Sequence, residues 1–81
     1  MKLFLISQTQ NDGYDTYDSA VVVAENEAAA KLIHPRGDGR SIENDESYPT
    51  WATSSDKVNA TYIGEAAEGI HGVVCASFNA G

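Results

Sequence analysis

The chain is poor in cysteine, in positive charge and in long apolar runs, and each shortage excludes something. Its one cysteine, Cys75, cannot close an internal disulfide, and there is no thiol cluster to hold zinc. A reducing compartment suits such a chain. Five Lys and Arg stand against twelve Asp and Glu, a formal charge of −7. Gripping a nucleic-acid backbone needs clustered bases, so direct nucleic-acid binding is not expected. The imbalance favours the opposite arrangement, an acidic surface that docks on a basic protein groove, such as one built for nucleic acid. No apolar run approaches the roughly eighteen residues of a membrane span, and MKLFLIS turns polar too soon for a signal sequence, so the expected location is the cytoplasm.

What is present suffices for one small domain over residues 1–81. A core of that size yields modest stability, which self-association can supplement, so a homo-oligomer is compatible with the chain. LFLIS (residues 3–7) is apolar on both faces, as a central strand would be. YDSAVVVA (17–24) is rich in β-branched residues and reads as a second strand, joined to the first as a hairpin with a long loop. In ENEAAAKLIHP, Asn26 is an N-cap, Glu27 suits the helix dipole, and Ala29, Leu32 and Ile33 fall on one face. Pro35 restricts His34 and stops this helix after two to three turns.

Residues at about 36–56 form the loosest stretch, which at that length implies a functional loop or short unrecognised structure. KVNATYIGE (57–65) alternates, with Val58, Ala60 and Tyr62 on one face. GVVCASF (72–78) closes the chain as an apolar strand, with Val74, Ala76 and Phe78 on one face and Val73, Cys75 and Ser77 on the other. The fold class is α+β: a small, mainly antiparallel sheet of about four strands, ordered β-β-α-β-β, with one helix packed on one face.

Chemistry is suggested in two places. In NDGYDTYDS, Asp12, Asp15 and Asp18 recur at every third residue with Tyr14 and Tyr17 between them. Three carboxylates could serve a hard cation, but the spacing lacks an EF-hand's alternation, its sixth-position glycine and its twelfth-position glutamate. On a regular strand Asp15 and Asp18 would point to opposite faces. No metal or other cofactor is expected. The first reading is a solvated hairpin end with Asn and Asp capping their own backbone. The second is a recognition surface, because between residues 3 and 30 there are five acids and no base, while tyrosine supplies contact area at low entropic cost. On that reading Asp12, Tyr14, Asp15, Tyr17 and Asp18 bind the partner.

The second place is HPRGDGR with Tyr48 and Trp51 downstream. Arg36 and Arg40 among glycines could hold a phosphate, His34 lies alongside, and Tyr48 or Trp51 could stack on a base, which would suit a nucleotide or cyclic nucleotide. The plain alternative is a post-helix turn, with Trp51 plugging the core edge. Catalytic groups are scarce: Cys75 sits mid-strand, where a small inert hydrophobe is expected, and nothing places His34 or His71 beside a nucleophile. No enzyme is expected.

The segment NDGYDTYDSAVVVAENEAAAKLIHP, together with the ending GVVCASFNAG, is similar to short uncharacterised proteins encoded by bacteriophages and prophages. In size, acidity and economy of fold the chain also resembles, by type alone, phage anti-defence proteins such as anti-CRISPRs. These resemblances imply a non-enzymatic accessory protein that acts in the host-cell cytoplasm. It would bind and inhibit a host protein, such as a nucleic-acid-binding defence complex, through the acidic, tyrosine-bearing surface. The alternative is a homo-oligomer that binds and sequesters a nucleotide, and a further one is a structural or assembly component of the virion.

Overall fold

The structure, a computed structural model, describes residues 1–10, 15–37, 50–52 and 54–79. Four strands form one antiparallel sheet: β1 (Lys2–Ser7), β2 (Thr16–Ala24), β3 (Asn59–Glu65) and β4 (Gly72–Asn79), in the spatial order β3-β1-β2-β4. The helix α1 (Glu27–Ala30) follows β2, and a 3₁₀ turn at Ser55–Lys57 leads into β3. The two segments with apolar residues at successive positions, LFLI and AVVVA, are the two central strands, and they pair as a hairpin from Lys2↔Ala24 to Ser7↔Ser19. The alternating β3 takes one edge, and β4, although it too reads as apolar, takes the other. Because β3 and β4 lie at opposite edges, residues 66–71 must cross one end of the sheet. Three inter-strand spacings come to about 14 Å, well within the reach of six residues. The Ala66 N–H donates to the Met1 carbonyl (3.0 Å) as this crossing begins.

One sheet face is covered. Phe4, Ile6, Ala20, Val22 and Ala24 project from it and meet Ala30, Trp51, Ala52 and Val58, all buried; Tyr17, Ala29, Ile33, Ala60 and Val73 pack around them. The N-cap forms as read: the Asn26 side chain accepts the Ala29 N–H at 2.8 Å, and Glu27 pairs with Lys31 at 3.2 Å.

The helix is shorter than its sequence suggests, a single turn rather than two or three. Ala30 and Lys31 bond four residues back, but Leu32 and Ile33 bond three back, to Ala29 and Ala30. The tighter winding takes the chain into His34, held out of the helical region by Pro35 and drawn into the core at 3 % exposure. Ile33 and Ala30 therefore meet the core, while Leu32 stays 38 % exposed. The Gly37 N–H closes a four-residue turn onto the His34 carbonyl at 3.1 Å, with Pro35 second in the turn and Gly37 at φ +79°.

Two edge irregularities redirect side chains. In β4, Val73 pairs with Val22 and Cys75 with Val21, which leaves Val74 as an extra residue. Strict alternation grouped Val74 with Ala76 and Phe78; the bulge instead brings Val73 onto their face and leaves Val74 exposed. In β3, Phe4 pairs with Tyr62 and Leu3 with Gly64, so Ile63 is the extra residue and Gly64 takes φ +153°. The bulge puts Tyr62 and Glu65 on the same face.

Candidate functional site

Of the acidic stretch, Asp15, Tyr17 and Asp18 are among the described residues; Asp12 and Tyr14 lie outside them. Asp15 precedes β2 with φ +60°, a left-handed conformation that a short polar side chain tolerates, and its N–H donates to the Asn79 carbonyl. Two strand residues later, pairing passes from Tyr17↔Phe78 to Ser19↔Ser77, so Asp18 occupies a bulge. The turn and the bulge leave both Asp15 and Asp18 exposed at the same end of the sheet. Among the described residues no cation forms an ion pair with either carboxylate; the pair that does form there is Lys31 with Glu27.

Tyr17 is differently placed. Its ring meets His34 edge-on at 6.0 Å and Phe78 at 4.8 Å, and it packs on the core. Its N–H donates to the Thr50 carbonyl at 2.6 Å, and its own carbonyl accepts from Gln8 Nε2 at 2.9 Å. Half of this tyrosine is therefore committed inside the molecule, and only its outer part is available to a partner. The buried polar residues Gln8 and Thr16, at 3 % and 5 % exposure, belong to the same neighbourhood and were not singled out from sequence. A signal for Gln8 existed: it continues the phase of Phe4 and Ile6, which points to the covered face.

Of the second constellation, His34, Arg36 and Trp51 are among the described residues. His34 Nδ1 accepts the Arg36 N–H at 3.0 Å, which assigns the ring proton to Nε2, facing Thr50 Oγ1 at 3.4 Å. Both ring nitrogens are thus engaged within the fold. Trp51 has no exposed surface, so a base cannot stack on it without opening the core, and the core-plug reading matches its placement. Arg36 is exposed, while Arg40 and Tyr48 lie outside the described residues. An open hollow beside α1 is lined by Glu27, Ala28, Lys31, Leu32, Ser55 and Asp56, and so includes none of these candidates.

Cys75, read from sequence as a small inert hydrophobe in mid-strand, is exposed. It pairs with Val21, whose side chain faces away from the core, so Cys75 and His34 lie on opposite sides of the sheet. Among the described residues no group of three His, Cys, Asp or Glu could hold a metal ion. No helix among them is long and apolar enough to cross a membrane.

The Tyr62 phenol is perturbed. The Tyr62 hydroxyl donates to Glu65 Oε2 at 2.6 Å, and Phe4 meets its ring edge-on. That hydrogen bond first, then partial desolvation, then the Glu65 charge raise the phenol above its ordinary value of 10.0. A pKa higher in the folded than in the unfolded state contributes stability below the unfolded value, and that stability is lost as pH rises through the folded one. Stability should therefore fall as pH climbs above 10, and Tyr62→Phe should flatten that decline; an unchanged slope in urea melts across this range would refute the coupling.

Compared with known proteins, the chain matches no family model, no curated protein and no solved structure.

Proposed function

We propose that the chain is a non-enzymatic accessory protein of the phage type that binds and blocks a host protein in the host-cell cytoplasm, using the acidic end of its β1–β2 hairpin. One observation carries this reading: the left-handed turn at Asp15 and the bulge at Asp18 hold both carboxylates in solvent, with no cation paired to them among the described residues. Exposed carboxylates with no base paired to them among the described residues keep their field for another molecule. With a net charge of −7, the complementary surface is basic, and a nucleic-acid-handling defence complex presents such a surface. The exposed part of Tyr17, backed by the His34 and Phe78 rings, would supply pre-ordered apolar contact beside the charges. The phage assignment rests on the resemblance of the NDGYDTYDSAVVVAENEAAAKLIHP segment.

Native mass spectrometry of the protein recovered gently from host lysate would identify the partner by a fixed stoichiometry. Changing Asp12, Asp15 and Asp18 together to Asn should leave the melting temperature nearly unchanged. It should slow association with that partner by about tenfold at low salt and much less at high salt, because screening already weakens steering there. Association kinetics that ignore both the triple change and the salt would sink the reading.

A further inference from the structure

The second face of the sheet carries an ordered grid of uncharged residues. Register places Gly64, Leu3, Val23 and Gly72 in one row; Thr61, Leu5, Val21 and Cys75 in the next; and Asn59, Ser7, Ser19 and Ser77 in the third. Leu5 is 39 % exposed, Thr61 and Cys75 are exposed, and Leu3 and Val21 are half-buried. Val23 is buried but belongs outside the core cluster. Among the described residues no helix or second sheet packs on this face. We propose that it is the contact surface for a second copy of this chain, packed sheet on sheet about a two-fold axis running along the strands.

Three observations select that occupant. The central strands are apolar on both faces, the pattern of a sheet covered twice, whereas α1 and the Trp51 segment cover it once. Two copies of a chain with a net charge of −7 repel wherever their acids face each other, and these twelve grid positions carry no acid and no base. An axis along the strands lays each row on its own counterpart: Leu5 over the second copy's Val21, Thr61 over its Cys75, and the small serines over one another. The small third row and the glycines of the first allow two sheets to approach to about 10 Å, with strands inclined by about 30°.

The grid spans roughly 400 Å² per copy by strand and residue spacings, about half of the roughly 800 Å² per partner of a standard interface. It lies below the size of stable interfaces, so the dimer should be a weak one that forms only towards the millimolar range of concentration.

Sedimentation equilibrium of the 81-residue chain tests this. The mass should move from one copy towards two as concentration rises, and added salt should strengthen the dimer by screening the repulsion. The hairpin contact proposed above would weaken with salt, so the two readings fail separately. Leu5→Glu should raise the dissociation constant at least about tenfold by placing a charge against an apolar partner. Leu32→Glu, equally exposed but off the sheet, should not. As a readout that needs no variant, alkylation of Cys75 in the wild-type protein should slow as concentration rises. The proposal is overturned by a monomer at every concentration with constant Cys75 reactivity, by a dimer indifferent to Leu5→Glu, or by a foreign protein on this face while the free chain stays monomeric.

Discussion

Trp51→Ala should leave a large part of the protein unfolded near room temperature. Trp51 is the largest fully buried side chain, at 0 % exposure, and it closes the core between the covered sheet face and the segment that precedes β3. Truncating a buried tryptophan costs about 3–5 kcal/mol, because the transfer energy is lost and the cavity collapses only in part. A domain of 81 residues has about 4–12 kcal/mol to lose in total. Chain entropy already opposes most of the burial in so small a core, so this loss reaches the scale of the whole stability. Urea unfolding followed by circular dichroism would register a sharply lower midpoint, and Trp51→Phe should recover much of the difference by keeping an aromatic plug. In the wild type, Trp51 is the sole tryptophan, so its emission should be blue-shifted and poorly quenched by iodide until the chain unfolds. A stable Trp51→Ala protein that had lost a nucleotide-induced melting shift would instead place this ring in a ligand site.

Replacing His34 with Ala should destabilise the fold by about 2–3 kcal/mol, the second largest effect. The imidazole joins three parts of the structure. It accepts the Arg36 N–H through Nδ1, faces Thr50 Oγ1 through Nε2, and supports the Tyr17 ring edge-on. Thr50 in turn receives the Tyr17 N–H, so removing the ring strips a donor and an acceptor of their partner and loosens the start of β2 at once. His34→Gln, which retains a donor and an acceptor, should cost less than Ala. The decisive comparison is between stability and binding. Loss of His34 should lower the urea midpoint, and should weaken partner association only as far as it disorders Tyr17. A variant with normal stability would show that these bonds contribute little and that the ring is free for other chemistry.

The strands were legible because their side-chain chemistry is decided locally. Apolar residues on both faces marked β1 as central, β-branched residues marked β2 as a strand, and alternation marked β3 as half-covered. The Asn26 cap was legible for the same reason, since it acts within one turn of backbone. Helix length was not, because the choice between bonding three or four residues back was made by the burial of His34, a contact with Thr50 sixteen residues away. The candidate residues divide in the same manner. Acidity at the hairpin is a matter of composition, whereas the bulge that turns Asp18 outward and the packing that half-buries Tyr17 depend on pairing with β4, about sixty residues further along.

The sequence by itself determined the class of the molecule: a small acidic α+β domain with a mainly antiparallel sheet of about four strands and one helix. It could do so because patterning and turn chemistry act between near neighbours and need no partner to take effect. Tertiary structure decided where those elements stand and what each candidate side chain can reach. Long-range register carried β3 and β4 to opposite edges, put His34 and Trp51 inside, brought Cys75 to the open face, and assembled the uncharged grid from residues that are adjacent only once all four strands have paired.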